Sequence, residues 1–442
     1  MKHYDAIVIG GGILGCMTAR NLRRWKISTL LLEKEDDICK GITRANSAII
    51  YAGYDNKPGS LKAALTVRGN TQMDTLCREL DVPFSRCGSL LVTYDSAAVS
   101  KLKRKLENGT QNAVPGLKLL TGAEAEALEP QLAKGVAAAL YAPTTGTVNP
   151  WQLGIAACEN AVQNGARVLC DTAVMGIRRE ESRFVLETNA GEFACKTVCN
   201  CAGLWADKVQ ELAFPPSVRL ELDGAEYLVF DTHARKPERV IFVQSEVCGK
   251  GITAIPCTEG NLLISGVRKP MDIPFATTPE GLRELHTATK ALLPEAETDK
   301  IIRSFGAVRP NPYKECGESL HDFCIENPAP GFYSLIGIKT PGLTCADGLG
   351  MLLAEKAAAY LQAEENETFN PVRKSIPKLG DREIICQCEG ISKEEILEAI
   401  RRGARTVDGV KRRVGSGMGR CQGSRCGYAI ERILEEWQNE RS

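Results

Sequence analysis

Gly10, Gly12 and Gly15 stand in the spacing G-x-G-x-x-G directly behind the apolar run Ala6-Ile7-Val8-Ile9, and nothing else in the chain constrains the fold as much. An apolar run that ends in glycines reads as a buried parallel strand. Ile13 to Trp25 reads as a helix, and Thr29-Leu30-Leu31-Leu32-Glu33 as a second buried strand. The glycines therefore open a helix after a strand, with an acidic residue closing the next strand, which is the context a dinucleotide site requires. Gly10 permits the tight turn, Gly12 lets the backbone approach a pyrophosphate, and Gly15 lets helix and strand pack closely. The helix start, with Ile13 and Leu14, presents free N–H groups to the phosphates. Glu33 is expected to accept hydrogen bonds from the adenosine ribose, with Lys34 beside it.

Two further glycine turns point to FAD rather than NAD. One follows the strand-like run Thr197-Val198-Cys199-Asn200-Cys201 and continues as Ala202-Gly203-Leu204-Trp205-Ala206-Asp207. The other is Gly337-Ile338-Lys339-Thr340-Pro341-Gly342-Leu343-Thr344, behind the buried run Phe332 to Ile336. A long cofactor needs several loops at the carboxyl ends of neighbouring strands. Ala202, Gly203, Trp205, Gly337, Pro341, Gly342, Leu343 and Thr344 are the candidates these turns supply.

At 442 residues the chain is long enough for two or three domains. A helix is expected from about Pro150 to Asn164, then strands at Arg167–Leu169, Arg183–Thr188 and Phe193–Cys199. A strand-rich block, broken by Gly and Pro, runs from about Leu220 to Val267 and reads as an antiparallel sheet. Thr277 to Leu293 and Gly348 to Gln362 read as helices. Ala363 to Lys378 is polar, contains Asn370-Pro371 and Ile376-Pro377, and has the composition of a linker.

Lys plus Arg and Asp plus Glu both number 55, so no global charge draws the chain to nucleic acid or an anionic membrane. No apolar stretch is long enough for a membrane span. The N-terminus runs from Met1-Lys2-His3 into a strand without a signal-peptide pattern, so a cytoplasmic protein is expected. Eighteen cysteines in such a chain do not form a disulfide framework. Most are scattered and read as small buried hydrophobes.

Four are not scattered. Cys386-Gln387-Cys388 is followed, after 32 intervening residues, by Cys421-Gln422-Gly423-Ser424-Arg425-Cys426. Four thiolates from two loops are the ligand set of a [2Fe-2S] cluster. A structural zinc site is the competing reading, although C-x-C with C-x4-C is unlike the usual C-x2-C pairs. Ser392 to Glu395 reads as a capping box between the two loops. Gly415, Gly417 and Gly419 allow backbone N–H groups to reach sulfur. The basic run from Arg401 to Arg413 reads as a docking face for an acidic partner or as a solvated surface.

The fingerprint at Gly10–Gly15, the segment Cys201 to Asp207 and the turn Pro341 to Thr344 resemble the D-amino-acid oxidase/glycerol-3-phosphate dehydrogenase superfamily of flavoproteins. Ala45-Asn46-Ser47-Ala48-Ile49-Ile50-Tyr51-Ala52-Gly53 and Lys57 to Ala63 are similar to its L-2-hydroxyglutarate and glycerol-3-phosphate dehydrogenase branch. Ile385 to Tyr428 resembles the bacterioferritin-associated-ferredoxin-like domain, in particular the copy fused to the large subunit of anaerobic glycerol-3-phosphate dehydrogenases. The resemblance implies an α/β fold: a glutathione-reductase-like FAD-binding domain (1–80, 145–215 and 330–365) interleaved with an antiparallel α+β substrate domain (81–144 and 216–329). A linker (366–380) and a small helical iron–sulfur domain (381–442) follow. It also implies that Thr43, Asn46, Ser47 and Gly342 to Thr344 lie against the flavin.

Within Gly306-Ala307-Val308-Arg309-Pro310, the resemblance places Arg309 at the substrate cavity, where a guanidinium suits a carboxylate or phosphate. The related hydroxy-acid enzymes carry histidine where this chain has Tyr51. Oxidising an alcohol calls for a base, whereas an amine can enter already neutral. Of the four histidines, His321 is the candidate base. A flavin beside a one-electron cluster argues for a dehydrogenase with a redox partner subunit. Three functions follow as expectations: a dehydrogenase of glycerol 3-phosphate or an L-2-hydroxy acid, a dehydrogenase of an amino acid or secondary amine, and a non-catalytic electron-transfer subunit.

Overall fold

The computed structural model describes residues 1–245, 249–266, 268–270, 273–377 and 383–440. Among these, two large sheets form, one of eight strands and one of nine. The end of the strand-rich block at Val267, and residues 378–382 at the boundary of the expected linker and iron–sulfur domain, lie outside the described residues.

The eight-stranded sheet grows around the fingerprint. Strand Lys2–Ile9 lies between Thr29–Leu32 and Gly191–Asn200, parallel to both, and Arg167–Leu169 continues the sheet beyond Thr29–Leu32. Ile7, Val8, Leu30 and Leu31 are wholly buried, as central parallel strands covered on both faces must be. Helices Ile13–Leu22, Pro150–Gln163 and Ala346–Leu361 cover one face through Met17, Leu22, Leu153, Leu349 and Leu353. The first helix ends at Leu22, short of Trp25, which instead bridges to Glu365. Phe332–Ile336 joins the sheet parallel to the end of Gly191–Asn200. Strand Cys324–Ala329 forms a hairpin with Phe332–Ile336, so it belongs to this sheet. The expected domain boundary between 329 and 330 therefore falls inside a hairpin, whose backbone pairing keeps both its strands together.

The nine-stranded sheet is antiparallel apart from the pair Ser89–Thr93 and Val240–Ser245. Its two long strands, Val218–Phe230 and Ile301–Lys314, pair along their whole length and carry Tyr227 and Arg309 towards the first sheet. Helix Pro279–Leu292 packs on the opposite face.

Residues 363–377 follow an ordered path over the first domain. Asn366 Nδ2 donates to Arg23 O (2.9 Å), Asn160 Nδ2 to Asn370 O (3.1 Å) and Arg373 Nε to Glu159 Oε2 (2.8 Å). Beyond them, the hairpin Ile384–Cys386/Ile391–Ser392 and helices Lys393–Arg401, Val407–Val414 and Gly427–Asn439 enclose a small core of Ile396, Ile400, Val410, Ile430 and Ile433. The capping box at Ser392 and Glu395 is present.

The basic run does not form an outward docking face. Arg412 and Arg413 are buried against Asp37, with Nη–carboxylate distances of 2.7 Å, and Arg402 reaches Glu159 at 2.9 Å. Arg405 spends its guanidinium on the carbonyls of Ile400 and Ala404. Asp37 and Glu159 are in the first domain of the same chain, whereas Glu398 and Asp408, which Arg401, Arg402 and Arg412 also meet, lie in the C-terminal module itself. The buried guanidinium groups need a buried counter-charge.

Candidate active site and cluster site

A cavity of about 510 Å³ opens where the first sheet meets the second. Gly10, Gly12, Ile13, Leu14, Glu33 and Lys34 line one end, and Thr43, Asn46, Ser47, Tyr51, Pro341, Gly342 and Leu343 the other, with Ala202, Gly203 and Trp205 between. The sequence thus brings together most of its predicted contacts. Gly10 has φ +100°, and a Cβ there would lie 2.6 Å from Cys201 O. A Cβ on Gly15 would collide with Gly10 O. At Gly12 the nearest atom to an added Cβ is Thr43 Oγ1 at 3.4 Å, so this glycine serves the open space in front of it.

Glu33 Oε2 accepts from Gly11 N (2.5 Å) and Oε1 from Glu35 N (2.9 Å), which ties the glycine turn to the end of the second strand. Burial raises its carboxyl above the usual range, opposed by those same N–H groups. Lys34 lies 4.4 Å from the centre of the exposed Trp205 ring. Thr43 Oγ1 accepts from Ile13 N (2.9 Å), and Asn46 braces the loop through Thr43 O and Ala48 N (3.0 and 2.7 Å). Gly15, Gly337 and Thr344 stand behind the lining. Gly337 has φ +64° and packs on Pro312, while Thr344 Oγ1 accepts from Tyr51 N (3.0 Å).

At the far end the cavity turns cationic. Arg309, half-buried on strand Ile301–Lys314, leaves its buried Nε without a partner among the described residues. Arg268 and Lys339 line the same end, and so does Tyr227, stacked on Phe305 at 4.7 Å. Burial pushes the Tyr227 phenol up to about 12. The ring of Tyr51 stacks on Phe242 at 5.9 Å. Tyr227, Arg268 and Lys339 are absent from the sequence-based set. Only the alternation of Ala225 and Tyr227 along their strand signals any of them.

His321 is not part of this end. Asp322 caps the helix Leu61–Leu80, accepting from Leu61 N and Lys62 N at 2.8 and 2.9 Å, and Lys62 Nζ donates to His321 O at 2.6 Å. Those bonds hold the turn at the surface with His321 exposed, and His321 does not line the cavity.

The cradle fits a flavin dinucleotide: a glycine turn with open space before Gly12, an acid at the next strand end and a cleft reaching the second sheet. The sequence profile of the FAD dependent oxidoreductase family (DAO) matches residues 5–356. The chain belongs to that family. A glycerol 3-phosphate dehydrogenase of Caloramator mitchellensis is 37% identical over 98% of this chain and 94% of its own length. An L-2-hydroxyglutarate dehydrogenase of Indibacter alkaliphilus is 34% identical over 80% of this chain and 98% of its own. The fold is shared with the L-α-glycerophosphate oxidase of Mycoplasma pneumoniae solved with FAD bound, with a TM-score of 0.78 and 23% identity over 86% of this chain and all of that one.

In this FAD-dependent oxidoreductase, a BFD-like [2Fe-2S] binding domain matches residues 384–436. Cys386 and Cys426 are buried, while Cys388 and Cys421 are partly exposed. The four thiols stand as two pairs, Cys386 with Cys426 and Cys388 with Cys421. Among the described residues no three acid, histidine or cysteine side chains converge to hold one metal ion. Four thiolates within the region that matches the BFD-like [2Fe-2S] binding domain fit a [2Fe-2S] cluster. Gly417 N donates to Cys386 Sγ at 3.5 Å. Backbone N–H from Arg425, then the Cys388 side chain and Gly423 N–H, draw the Cys421 thiol down to about 7, which favours the thiolate a metal needs. Burial, then the neighbouring Cys386, pushes Cys426 up to about 11. No helix among the described residues is long and apolar enough to cross a membrane.

Proposed function

We propose that this chain is a dehydrogenase of a small anionic alcohol, glycerol 3-phosphate or an L-2-hydroxy acid, that passes electrons through the [2Fe-2S] cluster to a redox partner. The observation that carries this reading is the convergence of Arg309, Arg268 and Lys339 on one end of the flavin cavity. Two guanidinium groups with an amine beside them on one wall of the cavity suit a phosphate or carboxylate, and Arg309, with an unpartnered buried Nε, has a donor to offer. The two named relatives act on substrates of this class. Bound FAD supplies a hydride acceptor that can release its electrons singly. The protein's own part is to bind the anion through Arg309 and Arg268, to wall the reacting carbon with Tyr51 and Tyr227, and to hold the cofactor loops in place.

The competing amine reading draws on one observation: no histidine lines the cavity among the described residues. Anaerobic mixing of the FAD-loaded protein with glycerol 3-phosphate, L-2-hydroxyglutarate, L-lactate, glycine and L-proline separates the two. Bleaching by the first group supports the proposal. Bleaching by the amines alone sinks it.

A further inference from the structure

An alcohol that becomes a carbonyl loses a hydride from carbon and a proton from oxygen, so the cavity needs a place for that proton. The carboxylates on the cavity wall, Glu33 and Glu35, lie at the glycine-turn end, away from the cations. Guanidinium groups stay protonated, which removes Arg309 and Arg268. The Tyr227 phenol is pushed by burial in the direction that keeps its proton.

Lys339 remains. It is half-buried on the turn between strand Phe332–Ile336 and Pro341, lines the cavity, and has its Nζ 3.2 Å from Asn311 Oδ1. Lys62 and Arg268 crowd it with positive charge and Asp223, which stands opposite Arg309 in the backbone register of the two long strands, opposes them. Burial first, then the charge of Lys62, brings the amine down to about 8, with Arg268 acting the same way and Asp223 against. A desolvated amine among cations is the usual way a lysine is made available as a base.

We propose that Lys339 is the catalytic base that takes the substrate's hydroxyl proton, while Arg309 and Arg268 hold its anionic group. This rests on the alcohol reading above. The O–H bond breaks and its proton goes to the neutral Nζ, giving an ammonium. The C–H bond breaks with its electron pair leaving as hydride to oxidised flavin, and the oxygen lone pair closes the C=O bond.

The test uses the full-length FAD-loaded protein under anaerobic conditions, as wild type, Lys339→Met and Lys339→Arg. In the wild type the rate of flavin bleaching by the alcohol should rise with pH through an inflection near 8. Both variants should bleach at least about a hundredfold more slowly, the range general bases supply, and without that inflection. Lys339→Arg keeps the charge, so its substrate dissociation constant should stay within about threefold of wild type. A second readout needs no turnover: inorganic phosphate binding to the oxidised holoprotein near pH 8 should take up protons in the wild type and not in Lys339→Met. Rapid bleaching by Lys339→Arg, or a retained inflection, overturns the role of Lys339 and leaves the alcohol reading standing. Bleaching by amines alone overturns both.

Discussion

Arg413 holds both carboxylate oxygens of Asp37, at 2.7 and 2.9 Å, across the contact between the flavin domain and the iron–sulfur domain. Arg412 adds a third bond at 2.7 Å to the same carboxylate, and all three side chains are buried. Removing the acid strands two buried guanidinium groups. Asp37→Asn should therefore destabilise the contact by about 3–5 kcal/mol. Calorimetry should show the iron–sulfur domain melting in a separate, earlier transition. An unchanged single transition would contradict the clamp.

The same carboxylate sets a pH dependence. Burial alone would raise Asp37, but the hydrogen bonds of Arg413 and the charges of Arg413 and Arg412 bring it below its ordinary 3.8. A depressed carboxyl stabilises the folded state at pH values above 3.8, and the contribution fades as pH falls through the lower folded value. The difference in stability between wild type and Asp37→Asn should be constant from pH 8 to 5 and should shrink only in stronger acid. A difference that shrinks above pH 5 would mean that another group is responsible.

Gly12 faces the cavity, and an added Cβ would make only an ordinary contact with Thr43 Oγ1 at 3.4 Å, so a side chain there fills the space a cofactor needs. Gly12→Val should fold, judged by an unchanged far-ultraviolet spectrum, and should carry no flavin absorbance. In the wild type, acid precipitation should leave yellow FAD in the supernatant, because no histidine lines the cavity among the described residues to attach it covalently. Colour in the pellet would refute non-covalent binding.

Cys421→Ser should abolish the low-temperature EPR signal of the reduced cluster and leave flavin binding intact. Substrate should still bleach the flavin, while transfer to a one-electron acceptor slows. A variant with full iron content and an unchanged signal would show that Cys421 is not a ligand.

Arg309→Lys keeps a positive charge and loses the planar fork. The loss of a charged hydrogen bond, about 1.5–3 kcal/mol, should raise the Michaelis constant roughly ten- to a hundredfold with a smaller fall in turnover. Equal kinetic constants would remove Arg309 from the anion site.

The parts of the site written in local context were legible in the sequence. The fingerprint, both later glycine turns and the cysteine loops each announce themselves within a dozen residues. Helix Leu61–Leu80 does not, because its buried face carries Lys62, Thr66, Gly69 and Asn70 among the leucines and so breaks the apolar stripe. Gly69 is small because helix and flavin loop pack closely there: an added Cβ would strike Thr344 O. The basic run was misjudged for a related reason. Charges read as solvent-facing unless their counter-charges are known, and Asp37 lies 376 positions before Arg413. Lys339 lies in the second glycine turn, but nothing local marks it as a base, since its lowered basicity comes from burial in the fold and then from the charges of Lys62 and Arg268, far away in the chain.

The cavity wall begins at Gly10 and closes only at Leu343. At about 5–20 residues per second, a ribosome needs roughly 20–70 s to pass from Gly10 to Leu343, the last piece of the flavin pocket. Until then strand Gly191–Asn200 waits beside Lys2–Ile9 with its other edge unpaired where Phe332–Ile336 will dock. All four cluster thiols, in contrast, emerge within one short contiguous module. The nascent chain thus has no pocket to offer its flavin until Leu343 has been made, and the cluster ligands emerge after it, with Arg412 and Arg413 between the two cysteine loops and Asp37 already waiting for them.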